Sequence, residues 1–81
     1  MKIELRRSAI KDLDKITSKD KNRIINSIDS LANFPLTSNI KHLIASDYAY
    51  RMRAGSYRIL FDVINDTVFI ARILHRKDSY K

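Results

Sequence analysis

A chain of 81 residues with 44% apolar and 31% charged side chains has the composition of one small globular domain, 1–81, and not of a disordered segment. It has no cysteine, which excludes a disulfide framework and a thiolate metal site. A formal net charge of +7 points to an anionic partner: nucleic acid, an anionic membrane surface or an acidic protein.

No apolar stretch approaches the roughly 20 residues that cross a bilayer. In "MKIELRRSAIKDL" charges stand where a signal peptide has its apolar segment, so a soluble, cytoplasmic protein is expected. "KIELR" alternates Ile3 and Leu5 with Lys2, Glu4 and Arg6, the period of a short half-buried strand. Ser8 is placed as the N-cap of a first helix reaching Ile16, with Ile10, Leu13 and Ile16 along one stripe. A second helix is predicted from Lys19 to Asn33, where Ile24, Ile25, Ile28, Leu31 and Ala32 share a face. Phe34-Pro35 ends it, because proline disfavours helix in the residue before it. Residues 36–46 are expected to form a connection anchored by Leu36, Ile40, Leu43 and Ile44, with His42 as a surface polar group. Strands follow at about 48–54, 57–64 and 67–75, joined by turns at Gly55-Ser56 and Asn65-Asp66. The predicted class is α+β, with two helices packed on one face of a small sheet.

The hairpin register assigns faces. With Gly55-Ser56 as a two-residue turn, Ala54 opposes Tyr57, Arg53 opposes Arg58 and Arg51 opposes Leu60. Directly opposed residues point to the same side, so Arg51, Arg53 and Arg58 share a face. A two-residue turn at Asn65-Asp66 would add Ile73 opposite Arg58, with His75 beyond it. The other face would collect Tyr50, Met52, Tyr57, Ile59, Phe61, Val63, Val68, Ile70 and Leu74 as core. Arg72 is the misfit there, expected near an edge, snorkelling or paired with an aspartate. Opposed like charges destabilise a sheet, and an all-arginine set favours a polyanion because guanidinium forks bind phosphate bidentately.

"ILHRKDSYK" places His75, Arg76, Lys77 and Tyr80 where the sheet ends. Metal-free RNA cleavage needs a group to take the 2′-hydroxyl proton, another to protonate the leaving oxygen, and cations for the phosphorane. His75 carries the side chain best suited to act as either acid or base, and is a candidate for both roles. Tyr80 can be brought into play by neighbouring arginines, or can stack on a base. The spacing of His, Asp and Glu suggests no metal site, no Gly-rich phosphate loop is present, and no cofactor is expected.

Over nearly its whole length the chain resembles the RelE/ParE superfamily of bacterial type II toxin–antitoxin toxins. "AIKDLDKI" looks like the family's first helix, "YRMRAGSYRILFDV" like its central hairpin and "ILHRKDSYK" like its terminal element. The resemblance implies a RelE-like fold: an N-terminal strand, then a two-helix hairpin on one face of a small, mainly antiparallel sheet completed by a three-stranded C-terminal meander. It implies a ribosome-dependent mRNA endonuclease cutting A-site codons without metal, neutralised by a cognate acidic antitoxin in a hetero-oligomer. Apolar anchors of that antitoxin are expected beside Leu60, Ile64, Phe69 and Ile73. Arg51 and Arg53 match the paired basic positions of the hairpin, Arg58 the arginine after the turn, Arg76 the terminal arginine and Tyr80 the tyrosine following it. Arg58, His75, Arg76 and Tyr80 are the candidate catalytic residues, and Arg51, Arg53 and Lys77 the candidate phosphate ligands. Arginine is never deprotonated in practice, which leaves base work to His75 or Tyr80. Two further readings share the fold: a ParE-like poison of DNA gyrase without nuclease chemistry, and a catalytically weak member that binds RNA or antitoxin without cutting.

Overall fold

The computed structural model describes residues 1–77, so the expectation placed on Tyr80 lies outside the described residues. The elements are β1 (Lys2–Leu5), α1 (Arg7–Asp14), α2 (Ser18–Ser30), a 3-10 turn (Leu31–Asn33), β2 (Ile40–His42), β3 (Tyr50–Ala54), β4 (Tyr57–Ile64) and β5 (Thr67–His75). Five strands make one sheet in the order β1-β5-β4-β3-β2. β1 runs parallel to β5, and the remaining pairs are antiparallel. This is the expected α+β architecture with one addition, the edge strand β2. Its residues Ile40, Lys41 and His42 are too short a run for alternation to reveal.

On α2, Ile24 and Ile28 are buried, and Leu31 continues the stripe. Ile25 and Ala32, expected on that face, are exposed. α1 departs further from expectation. It begins at Arg7 behind Arg6, with no side-chain cap. Ser8 is not the N-cap; its Oγ donates to the Ala71 carbonyl at 2.6 Å. Ala9 is the buried residue of α1, whereas Ile10 is exposed and Leu13 and Ile16 pack at the margin of the core. Leu36 and Ile44, expected as anchors, are exposed as well.

The core lies between α2 and one face of the sheet, where Met52, Ile59, Phe61, Val68 and Ile70 meet Ile24, Ile28 and Leu31. Fully burying each of these large side chains is worth roughly 1.5–3 kcal/mol. Phe34 extends the core after α2, edge-on to Tyr50 at 5.1 Å and to Phe61 at 5.9 Å between ring centroids.

The ladder between β4 and β5 contains the main correction. Asn65 and Asp66 both have positive φ, and Ile64 faces Thr67, so the turn forms as predicted. Pairing proceeds to Phe61 opposite Ile70, but the next pair is Leu60 with Arg72. Ala71 is therefore an extra residue, a β-bulge, and every later side chain of β5 changes face. Arg58 opposes Leu74, not Ile73. Ile73 enters the core at 3% exposure, while Leu74, expected there, is half-buried on the open face. His75 opposes Tyr57 and so sits on the helix side, away from the arginines.

The bulge is held from α1. β1 ends opposite Ile70, and the backbone of β5 beyond that point needs other partners. Ser8 accepts that task for the Ala71 carbonyl, and Asp12 Oδ2 accepts the Ile73 N–H at 2.9 Å. The same carboxylate receives Arg72 Nε at 2.8 Å and Nη2 at 3.1 Å. Arg72 is thus the aspartate-paired misfit, carried to the Leu60 side of the sheet by Ala71. Its pKa is raised, chiefly by the hydrogen bond to Asp12 and against the opposing effect of burial.

Candidate polyanion-binding site

Gly55 turns the β3–β4 hairpin with φ +60°, a conformation in which a Cβ is strained. Arg53 opposes Arg58 and Arg51 opposes Leu60, so the three arginines share the face left open by the helices, as the sequence predicts. They differ in exposure. Arg53 is exposed, Arg51 half-buried, and Arg58 only 5% exposed. Just past β5 the β4–β5 ladder continues one step beyond the Tyr57–His75 pair, and the Arg76 N–H donates to the Ser56 carbonyl at 2.7 Å.

That bond closes a small depression of about 200 Å³ around the turn, walled by Arg53, Arg58 and Arg76 with Tyr57 beside them. Three arginines lining a volume of this size suit an oxyanion such as a phosphodiester, since a guanidinium is a planar fork of donors that stays charged. Confinement by protein also strengthens their pull on an anion relative to bulk water. Arg51 lies outside this depression. It shares a shallower one with Lys41 and Arg53, so Arg53 borders both. Lys77 is exposed just after Arg76.

His75 is not brought into the cluster. Its ring meets Tyr57 edge-on at 5.2 Å, and it borders a different cavity with Asp12, Lys15 and Ile16. Its Nδ1 accepts the Lys77 N–H at 3.2 Å.

Some of the electrostatics of the open face follows from residues the sequence reading passed over. Asp62, on the Arg58 side of β4, accepts the Ala49 N–H at 2.8 Å and stands 3.8 Å from Arg6. Arg6 lies over the Phe69 ring at 5.6 Å. The alternation in "KIELR" already put Arg6 opposite in phase to Ile3 and Leu5, so this signal was present. Lys41 carried no such mark, because β2 was read as a connection. Among the described residues, no group of three or more His, Cys, Asp or Glu side chains is placed to hold a metal ion. No helix among them is long and apolar enough to cross a membrane.

The fold and this site define a class, a small α+β protein with an arginine-bearing hairpin on the open face of its sheet. The comparisons narrow it. The family model described as "ParE toxin of type II toxin-antitoxin system, parDE" matches residues 3–80. The chain is 33% identical over 84 aligned positions to Toxin RelE3 of Methanocaldococcus jannaschii, covering 99% of this chain and 96% of that one. The fold superimposes on the RelB–RelE antitoxin–toxin complex of Methanococcus jannaschii with a TM-score of 0.79 at 30% identity, over 94% of this chain and 93% of the other. The toxin–antitoxin complex RelBE2 of Mycobacterium tuberculosis gives a TM-score of 0.79 at 26% identity, over 93% and 96%. The chain belongs to the RelE/ParE family of type II toxin–antitoxin toxins.

Proposed function

We propose that this toxin is a ribosome-dependent mRNA endonuclease, and that the depression walled by Arg53, Arg58 and Arg76 receives the phosphate that is cut. The observation that carries the reading is the Arg76 N–H bond to Ser56, which draws the terminal arginine onto the hairpin beside Arg58. In the proposed reaction the 2′-oxygen attacks the adjacent phosphorus as its proton passes to a base. The P–O5′ bond breaks, and the leaving oxygen is protonated, giving a 2′,3′-cyclic phosphate and a 5′-hydroxyl. Arg58 and Arg76 stabilise the phosphorane charge, while Arg51, Arg53 and Lys77 hold flanking phosphates.

Proton abstraction is assigned to Tyr80. His75 is on the helix side of β5, so Tyr80 takes the 2′-hydroxyl proton in this reading. The same placement keeps His75 from the leaving oxygen, so in this reading that oxygen takes its proton from solvent and the sequence-based role of His75 as the acid is given up.

In this reading a cognate acidic antitoxin masks the same open face; the structures the chain resembles are toxin–antitoxin complexes. Its apolar anchors meet Leu60, Ile64, Phe69 and Leu74; Leu74 takes the place expected for Ile73 because of the bulge. Action on translating ribosomes makes the cytoplasm its place of work. The test is primer extension on mRNA programmed into ribosomes, with and without the purified toxin. Codon-phased cuts that require ribosomes are expected. Growth arrest without cuts would refute the nuclease reading and favour gyrase poisoning, the reading associated with a ParE-type family match.

A further inference from the structure

The polar side of α2 faces a second groove that the cationic depression does not include. Arg23, Asn26, Ser27 and Ser30 recur at the spacing of one helical stripe and form one wall; Asn39 and Arg53 form the other. The groove is broad and open, with a volume of about 560 Å³, so a ligand lying in it keeps one side to solvent. None of its lining residues is acidic. The amides and hydroxyls there present both donors and acceptors, as the edge of a nucleobase requires.

Two features join this groove to the proposed phosphate site. Arg53 borders both. Arg23 also reaches over the hairpin turn, since a Cβ placed on Gly55 would lie 2.8 Å from its Nη1. A glycine at this position therefore serves the turn and also makes room for a cation from α2. The far wall is fixed as well, because the Asn39 carbonyl accepts the Arg53 N–H at 3.0 Å.

We infer that the groove between α2 and the β2–β3 edge is a nucleotide subsite, in which Arg23 binds the phosphate next to the one cut and Asn26 and Asn39 read the attached base. The inference rests on the RNA-cleaving reading and extends it from phosphate binding to base preference. Arg53 borders both depressions, so a strand whose cut phosphate lies in the first carries its next nucleotide into this groove, which favours a nucleotide over an acidic peptide.

Two measurements on the full-length toxin test it, with circular dichroism confirming that each variant is folded. The first is fluorescence anisotropy of a labelled single-stranded RNA dodecamer over a salt series. Arg23→Gln should lower the slope of log affinity against log salt by about 0.7, the value for one phosphate contact on a single strand. The second is codon-resolved primer extension, where Asn26→Ala should redistribute cuts among codons while total cleavage persists. Wild-type cleavage with unchanged salt slope and codon profile in the variants would overturn the subsite and leave the nuclease reading standing. No wild-type cleavage, but a reduced slope for Arg23→Gln, would overturn the nuclease reading and support the groove as an RNA site. Unchanged RNA parameters with weakened antitoxin binding would make the groove a protein-docking surface and overturn the inference.

Discussion

Replacing Asp12 with alanine removes two kinds of interaction whose costs can be separated. Ile73 is 3% exposed, and its N–H loses the only acceptor described for it, at a cost of roughly 1–3 kcal/mol for an unsatisfied buried donor. The Arg72 side chain is 39% exposed, so water replaces much of its bidentate contact, and that part is worth about 0.2–1 kcal/mol after screening. Asp12→Ala should therefore cost about 1–4 kcal/mol in total. For a domain of this size that is a fall in Tm on the order of 5–30 °C. Arg72→Ala leaves the carboxylate on Ile73 and should cost about 1 kcal/mol or less. Asp12→Asn retains one acceptor oxygen and should fall between the two. Urea unfolding with an unchanged m-value gives the comparison directly. Equal losses for Asp12→Ala and Arg72→Ala would show that the ion pair, and not the backbone bond to the bulge, carries the stabilisation. An Asp12→Ala cost under about 0.5 kcal/mol, the level of an ordinary surface substitution, would refute the reasoning altogether. The raised pKa of Arg72 adds a sign: its contribution is fully present below the ordinary arginine range and is lost only as pH rises through the higher folded value. Alkaline buffers short of that range should leave the difference between variants unchanged.

Arg58→Ala and Arg76→Ala should each abolish growth arrest while the purified proteins keep wild-type circular dichroism; toxicity in both would remove them from the site. Arg58→Lys should also lose most activity, since an ammonium keeps the charge but not the planar fork, and the same growth assay reads it. Gly55→Ala should cost roughly 1–2 kcal/mol in chemical denaturation, because φ is +60° there; the Arg23 tip can swing clear of the new methyl. Ile28→Asp places a carboxylate at a position 4% exposed, and should leave the protein unfolded by circular dichroism at 25 °C.

The periodicities that proved readable were those set by local chemistry. Ile24, Ile28 and Leu31 repeat at helical spacing and are buried, and the Gly55 turn alone fixed Arg53 opposite Arg58. Ala71 could not be read in this way. A bulge has no composition of its own, and this one depends on Ser8 and Asp12, some sixty residues earlier in the chain. Its effect was to exchange Ile73 with Leu74 and to send His75 to the helix side. The arginine face was therefore legible as far as the first turn, and the tail's orientation was not. Ser8 shows the same limit: its identity suits an N-cap, but a carbonyl left unpaired by the end of β1 was the stronger demand. Arg23 was seen as a polar helix residue; only the tertiary placement of α2 over Gly55 brings it to the hairpin.

The parallel pairing of β1 with β5 sets an order of assembly. Lys2 faces Thr67 and Leu5 faces Ile70, so β1 has no ladder until β5, some sixty residues later, has been made. α1 waits on the same strand, because Ser8 and Asp12 bond Ala71 and Ile73. Meanwhile α2 and the β3–β4 hairpin can form from near neighbours, but Ser56 has no Arg76 to receive. The cationic depression is completed only after β5 has been laid down, so its last wall is also the last part of the sheet to be made.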